Sequence, residues 1–394
     1  MTQQIWAITG TRARIAGVGE TEYVRGTEKS TVALRLEASL AACRDAGIPP
    51  AEIDGVVIPG SHLEAEQFVA GLGITDLRFS AHNSMGGAGT VAAVAVAAGA
   101  VRAGLARRVL VAAGSAQFSG GRRLSSAEGG AMSFRWPGQA IRDHLEYPYG
   151  VSVPMQWYSL HANRWLAETG ADRTGMRDVA LSTRQHAHRN AKAYFRGRPL
   201  SAQQYDESPL VVEPFRLFDI VSETDGAAAV VVDRADADLL SDHRPVLIAG
   251  GGEGHADVPD DLVTRPDMLQ MGLTKLAPRL FAEVGISCED LDFAQIYDCF
   301  TFVVLRQLEE LGFCERGEAP SFVRERGIGP GGGLPVNTHG GLLSQGHIAG
   351  MNHVVEAVLQ LRGAAGEAQV PNAGLGVVTG YGDMSDGSML VLTR

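Results

Sequence analysis

The chain repeats one order of predicted elements, and this repetition limits its fold more than any other feature of the sequence. Residues 14–58 are predicted to form a strand that ends in glycines, a helix and a second strand. Residues 246–297 show the same order. The connection before the last strand is repeated too, because the segments 46–54 and 284–292 share Gly-Ile near their start and Asp at their end.

The units that follow repeat as well. Residues 83–113 are predicted to form a glycine-rich turn, an Ala/Val-rich helix and a strand, and residues 337–379 are predicted to form the same series. Strands at 227–232 and 389–393 would close the two halves. Two halves with one order of elements predict an internally duplicated α/β fold.

A long connection interrupts the first half. The segment between its last two predicted strands is far longer than the usual connection in a compact domain. We therefore expect an N-terminal half formed by residues 1–116 and 223–242, an inserted loop subdomain at 117–222, and a C-terminal half at 243–394.

Composition and charge exclude several classes of protein. The chain has 394 residues, a net charge of −11 and a pI near 5.5, which argues against a nucleic-acid binder because such proteins need a basic contact face. Its four cysteines show neither a CxxC pair nor the spacing of a metal site. No apolar run reaches the ~18 residues of a membrane span, and the N-terminus lacks the residue order of a secretion signal. We expect a cytoplasmic protein with reduced thiols and no bound metal.

The end of the strand predicted at 291–300 is a candidate site. Apolar residues along this stretch give way to Tyr297, Asp298 and Cys299. In open α/β sheets, ligands bind beyond the carboxyl ends of the strands. We therefore expect this strand end to face a pocket.

The inserted segment carries helical and basic patterns. Helices are predicted at 154–169 and 174–194, and a basic run extends over 184–198. Such a run could hold phosphates, but charge runs most often form a solvated helix face, and we favour that interpretation. His186 and His188 have no companions at metal-ligand spacing and are expected at the surface.

Three motifs taken together resemble those of thiolases. Residues 337–341 (Asn-Thr-His-Gly-Gly), followed by Gly346 and His347, resemble the Asn-x-x-Gly-Gly…Gly-His signature of that family. Residues 224–228 (Thr-Asp-Gly-Ala-Ala) are similar to the stretch that closes the thiolase N-terminal half, and residues 296–300 resemble the His-Asp-Cys-Phe motif of sterol-carrier-type thiolases. The resemblance spans essentially the whole chain. It implies an α/β thiolase fold, in which two duplicated halves have mixed five-stranded sheets and helices in an αβαβα layering, plus an inserted loop subdomain.

The chain departs from thiolases at the residues that carry their chemistry. Where the family has its nucleophilic cysteine, residues 82–87 are His-Asn-Ser-Met-Gly-Gly. The oxyanion-hole histidine of the family is Tyr297 here, and its second cysteine corresponds to the Gly-Tyr-Gly sequence centred on Tyr381. A serine hydroxyl is a poorer acyl acceptor than a thiolate, so this pattern favours chemistry without a covalent acyl-enzyme.

This pattern resembles the lipid-transfer-protein aldolases of steroid side-chain catabolism, which cleave a bulky β-hydroxyacyl-CoA by a retro-aldol reaction. The resemblance implies that a ketone and propionyl-CoA, or a similar short acyl-CoA, are released. It implies that Tyr297 and Tyr381 face one pocket, where one accepts the alkoxide proton and the other donates to carbon or steadies the alkoxide. A free phenol has a pKa of ~10, so the base needs an assisting neighbour, and His347 is the nearest candidate.

The resemblance also implies residues that bind the substrate. Asn337, acting through water with His347, would hold the thioester enolate. Ser84 and Gly382 would line the site. No covalently bound cofactor is expected, because coenzyme A arrives as part of the substrate.

Two alternatives stay open. The chain could be a non-catalytic thiolase-like subunit that binds CoA thioesters, or an acyltransferase or thiolase that uses Ser84 as its nucleophile. The resemblance further implies a homodimer and a small OB-fold partner protein of the DUF35 type.

Overall fold

The computed structural model describes residues 12–60, 63–120, 142–257, 265–382 and 386–394. Residues 121–141 of the predicted insertion therefore lie outside the described part. The strands are β1 (Ala13–Glu20), β2 (Gly55–Pro59), β3 (Phe79–Asn83), β4 (Arg108–Ala116), β5 (Leu210–Val212), β6 (Phe215–Arg216), β7 (Asp225–Arg234), β8 (Val246–Gly254), β9 (Phe293–Gln295), β10 (Leu375–Gly382) and β11 (Asp386–Thr393). The α-helices are α1 (Thr31–Asp45), α2 (Ala65–Leu72), α3 (Gly89–Arg102), α4 (Pro154–Thr169), α5 (Thr174–His188), α6 (Ala202–Asp206), α7 (Gly272–Val284), α8 (Thr301–Glu310), α9 (Ala319–Phe322) and α10 (Met351–Arg362).

One mixed sheet extends through both halves of the described chain. Its nine strands have the order β3-β2-β4-β7-β1-β8-β11-β10-β9. The first five belong to the N-terminal half and the last four to the C-terminal half. The halves meet where β1 pairs with β8 over three residue pairs, from Ala13 with Ile248 to Ile15 with Val246. The predicted duplicated α/β fold is confirmed.

The two halves show the same strand order with one difference. Counted outwards from the junction, β1, β7, β4 and β2 correspond to β8, β11, β10 and β9. The counterpart of β3 is a single parallel bridge between Ala294 and Val336. The chain leaves the sheet directly after this bridge, because Asn337 has a left-handed backbone with φ of 55°. The C-terminal half therefore has four strands and a bridge where five strands were expected.

Helices cover both faces of the sheet. In β4, Val109 and Val111 pack into the cluster that includes α3 and α10, and Leu110 and Ala112 pack into the cluster beneath α1. Successive strand residues point to opposite faces, and apolar residues in both sets require cover on both sides. Since α3 and α10 contact strands of both halves, they form the middle layer. Helix α1 lies outside one half-sheet and α7 outside the other.

The inserted segment packs against the C-terminal half. Trp165 of α4 is fully buried, lies edge-on to Phe302 with ring centroids 5.6 Å apart, and donates to Glu309 Oε2 at 3.1 Å. Both partners belong to α8, which begins just after β9. The predicted helix at 154–169 is confirmed, whereas the helix predicted at 174–194 ends at His188. Among the described helices, none has the length and apolar character needed to cross a bilayer.

Candidate active site

A large cavity lies at the carboxyl end of β9, where a pocket was expected. Its volume is about 1590 Å³. The turn after β3, the first turns of α4, the residues after β9 and the loop before α10 all contribute to its wall. The wall residues considered below are Ser84, Tyr158, Tyr297, Cys299, His347 and Gly382.

Side chains, rather than a neighbouring strand, hold the backbone that leads to Tyr297. Of the predicted strand at 291–300, the named strand covers Phe293–Gln295, and Phe300 forms a single bridge with Ile220. After it, the N–H of Ile296 donates to Asn337 Oδ1 at 2.7 Å, and Asn337 Nδ2 donates to the Ile296 carbonyl at 2.8 Å. These two bonds fix the chain immediately before the Tyr297 ring, which reaches the cavity.

Asn337 is therefore a positioning residue in this arrangement. It is fully buried, is not among the residues that line the cavity, and uses its amide oxygen and nitrogen on Ile296. The expectation that it holds an enolate through water does not match this placement. Asparagine suits the position because its short polar side chain tolerates the left-handed backbone found there.

Asp298 anchors the loop that carries His347. Its buried carboxylate accepts from the N–H of Leu342 at 2.7 Å and lies 3.1 Å from His353 Nε2. Burial raises the pKa of this carboxyl, and the bond with His353 opposes that rise. A Cβ at Gly341 would lie 2.0 Å from Asp298 Oδ2, and the φ of 62° there also favours glycine. The side chain is thus directed to the loop and not to the cavity.

The ring of His347 is oriented by polar neighbours. Its backbone N–H donates to Thr224 Oγ1 at 2.8 Å, and its Nδ1 lies 2.8 Å from Gln117 Oε1. Because an amide oxygen accepts, Nδ1 carries the proton of the neutral ring and Nε2 keeps a lone pair. Burial, followed by the charge of His353, lowers the pKa of His347 to about 4. His347 is therefore a neutral acceptor at neutral pH.

Tyr381 lies behind the cavity wall. Gly382 lines the cavity, whereas Tyr381 is fully buried and is not among the lining residues. Its hydroxyl lies 3.5 Å from His161 Nδ1, and its ring meets Tyr158 edge-on at 5.9 Å. Burial raises its pKa. The expectation that both predicted tyrosines face the cavity holds for Tyr297 and not for Tyr381, whose direct contact with substrate stays a prediction.

Comparison with known proteins identifies the family. Residues 254–394 match the family model described as Thiolase C-terminal domain-like. The chain is 36% identical to a steroid side-chain-cleaving aldolase of Thermomonospora curvata, over 90% of this chain and 91% of that protein. It is also 36% identical to 17-hydroxy-3-oxo-4-pregnene-20-carboxyl-CoA lyase of Mycobacterium tuberculosis, over 93% of this chain and 97% of that protein. A solved structure described as Ltp2-ChsH2(DUF35) aldolase matches with a TM-score of 0.88 and 33% identity, covering 97% of this chain and 98% of the other.

The chain belongs to the thiolase superfamily. Within it, the two relatives place the chain in the branch of the steroid side-chain-cleaving aldolases. The thiolase fold expected from the motifs is confirmed.

The turn that carries the nucleophilic cysteine in thiolases is closely packed here. Ser84 is exposed and lines the cavity. A Cβ at Gly382 would lie 2.2 Å from the Met85 carbonyl oxygen, and a Cβ at Gly87 would lie 2.3 Å from the Tyr297 hydroxyl oxygen. The end of β10, the turn and the Tyr297 ring therefore pack without room for a methyl group between them.

A thiolase-type site in this chain includes a third tyrosine that sequence reasoning missed. Tyr158 of α4 lines the cavity together with Cys299 and stacks on Phe300 with centroids 4.5 Å apart. Burial raises the pKa of Cys299 to about 12, so the sulfur is a thiol at neutral pH. The predicted helix at 154–169 contained Tyr158, but its amphipathic pattern did not show which face would meet the strand end.

The basic run on α5 is only partly a solvated face. Arg184 is buried, lines the cavity, donates to Ser344 Oγ at 3.1 Å, and stacks over Phe195 at 4.2 Å. His186 is buried with its Nε2 3.0 Å from the Ile328 carbonyl oxygen. The expectation of a solvated face is wrong for these two residues, because α5 packs against α8 and the loop before α10. Among the described residues, no group of three or more potential ligands could hold a metal ion.

Proposed function

We propose that this chain cleaves a bulky β-hydroxyacyl-CoA of the steroid side-chain type by a retro-aldol reaction, releasing a ketone and a short acyl-CoA such as propionyl-CoA. The observation that carries the proposal is the cavity at the end of β9, where Tyr297 stands at the position of the thiolase histidine and faces the same space as the neutral ring of His347. The names of the two similar aldolases support the same chemistry.

The cavity contains an acceptor for the proton of the β-hydroxyl group. Nε2 of His347 keeps its lone pair because Gln117 holds Nδ1 in its protonated form. In the proposed first step, the phenol of Tyr297 accepts the hydroxyl proton while passing its own proton to this nitrogen. The Cα–Cβ bond then breaks, the β-carbon becomes a ketone, and the electron pair moves into the thioester enolate.

The state of the thiol disfavours a covalent route. An acyl-enzyme requires an activated nucleophile, and thiolases use a thiolate. The cysteine that lines this cavity, Cys299, has its pKa raised to about 12 by burial and is therefore protonated at neutral pH. Ser84 is the remaining alternative nucleophile. Mass spectrometry after incubation with an acyl-CoA would reveal an acyl adduct on Ser84, and such an adduct is incompatible with the aldolase scheme.

The size and charge of the cavity suit a large CoA thioester. Its volume of about 1590 Å³ exceeds the roughly 300–1,000 Å³ of most small-molecule pockets. In a chain with a net charge of −11, four cationic side chains line this cavity (Arg25, Lys29, Arg35 and Arg184) against two carboxylates (Glu28 and Glu223). These cations would attract the phosphates of coenzyme A.

The proposal includes two kinds of assembly. The similar solved structure is an Ltp2-ChsH2(DUF35) aldolase, so we expect this chain to act with a small DUF35-type subunit. A homodimer of the chain is also proposed from its thiolase fold. Light scattering of the chain, alone and co-expressed with a DUF35-type protein, tests both assemblies.

The activity test uses 17-hydroxy-3-oxo-4-pregnene-20-carboxyl-CoA, the compound for which the mycobacterial lyase is named. The chain, in complex with a DUF35-type subunit, should release the 17-ketone and propionyl-CoA in equal amounts. Replacing Tyr297 by Phe should lower kcat by ~100-fold or more, since general acid–base groups contribute 10²–10⁴-fold. Equal turnover by the wild-type and Tyr297→Phe complexes would refute the role of the phenol, and no cleavage by the wild-type complex would refute the proposed activity.

A further inference from the structure

The inserted segment brings a phenol to the cavity wall at a position that neither the repeat nor the thiolase motifs indicate. Pro154, Met155 and Tyr158 all line the cavity. Tyr158 lies four residues after Pro154 and three after Met155 at the start of α4, so it shares one face of the helix with both. This helix face and Tyr297 border the same cavity.

The Tyr158 ring is held by a series of stacked aromatic rings. It stacks on Phe300 at 4.5 Å with an interplanar angle of 29°, and Phe300 stacks on Phe215 at 5.0 Å. On another side, it meets the edge of Tyr381 at 5.9 Å. Rings in contact on several sides have few alternative rotamers. The Tyr158 ring therefore has a defined position on the cavity wall that it shares with Cys299.

We propose that Tyr158, and not Tyr381, is the second phenol of the site and donates the proton that converts the thioester enolate into the short acyl-CoA. The inference rests on the proposed retro-aldol function and adds a residue to it. Its basis is the placement of the two rings, since Tyr158 lines the cavity while Tyr381 lies behind it with its hydroxyl near His161.

With this assignment, every proton and electron pair in the reaction is accounted for. The β-hydroxyl proton reaches His347 through Tyr297, and cleavage of the Cα–Cβ bond leaves its electron pair on the enolate. The O–H bond of Tyr158 then breaks as a new Cα–H bond forms, which completes the short acyl-CoA. The resulting phenolate of Tyr158 takes back the proton held by His347, and the site returns to its starting state without any further reactant.

The surroundings of Tyr158 keep its hydroxyl group protonated. Burial, and then the neighbouring Cys299, Tyr381 and Tyr297, raise the pKa of its hydroxyl well above the ordinary value. A phenol of this kind stays protonated over the whole neutral range, as a donor to a strongly basic enolate carbon must.

The test compares single Tyr→Phe substitutions at positions 158, 381 and 149 in the chain bound to its DUF35-type subunit. Phenylalanine keeps the stacking on Phe300 and removes only the hydroxyl, and circular dichroism and thermal melting verify the fold. We expect Tyr158→Phe to lower kcat by on the order of 100-fold while KM changes by less than about threefold, because the lost group acts on a reaction intermediate. Tyr149 is 82% exposed, so Tyr149→Phe is the matched control and should retain wild-type rates.

The outcomes separate this inference from the proposed function. Cleavage by the wild-type complex, together with a Tyr158→Phe rate within about threefold of it, would overturn the assignment and leave the retro-aldol activity in place. A larger loss of kcat in Tyr381→Phe than in Tyr158→Phe would also overturn it. A change confined to KM in Tyr158→Phe would show that the hydroxyl helps to bind the substrate and donates no proton, which would overturn the assignment. Failure of the wild-type complex to release any ketone would instead contradict the proposed function.

Discussion

Replacing Gln117 by Glu tests how the site sets the charge of His347. The wild-type amide oxygen lies 2.8 Å from Nδ1, and burial holds the pKa of His347 at about 4. A carboxylate at the same distance stabilises the imidazolium, and an opposite charge this close shifts a pKa by about 1–3 units. The pKa of His347 should therefore rise from about 4 to roughly 5–7.

The sign of the resulting pH dependence follows from the role of His347 as an acceptor. Activity requires its neutral form and is lost as the pH falls through its pKa. In Gln117→Glu, the acid limb of the kcat/KM profile should move to roughly pH 5–7, whereas the wild-type complex should stay active until the pH approaches the wild-type pKa of about 4. The assay is ketone release at fixed ionic strength between pH 4 and 9.

Gln117→Met is the matched control, because it removes the acceptor without adding charge. It should lower the rate without shifting the acid limb upwards. Coincident acid limbs for the wild-type and Gln117→Glu complexes would refute the role of His347 as the proton acceptor. An equal upward shift in Gln117→Met would show that water entry, and not the carboxylate, changes the pKa.

Three further predictions follow from the packing and charges around the site. Gly382→Ala would place a Cβ 2.2 Å from the Met85 carbonyl oxygen, so it should displace the turn beside Tyr297 and lower kcat by at least tenfold in steady-state assays, with melting curves to check the fold. Burial raises the pKa of Glu356 from its ordinary 4.5 to about 7, so the native state loses stability as the pH rises through this range. Glu356→Gln should therefore raise the free energy of unfolding, measured by urea denaturation, by up to about 3 kcal/mol at pH 8 and leave it unchanged at pH 4. Arg184→Met should raise KM for the CoA substrate by roughly 10- to 100-fold, since a hydrogen bond to a charged group contributes about 1.5–3 kcal/mol. An unchanged KM would exclude Arg184 from phosphate binding.

The fold could be predicted from the sequence because its signals are local or repeated. A strand such as β4, which is apolar on both faces, requires helices on both sides, and the repetition of the strand-helix order fixed the number of halves. The hydrogen-bond partners of buried backbone groups were harder to predict from the sequence. The strand at 291–300 appeared continuous, but Asn337, more than forty residues later in the chain, provides the hydrogen bonds that replace the sheet after Gln295.

The sequence by itself determined the family and the presence of a polar strand end, since the motifs around Tyr297 and His347 are contiguous in the chain. Only the tertiary structure decided which side chains share the cavity. The orientation of Tyr381 depends on which face of β10 meets the turn after β3. The alternation of residues along a strand does not show which of its two faces this is, because that depends on how the sheet packs against its neighbours. Tyr158 and Arg184 come from the inserted segment, and the sequence pattern of its helices does not indicate which part of the protein they pack against. Their burial beside Phe300 and Ser344 arises from contacts between distant parts of the chain, which local sequence patterns do not encode.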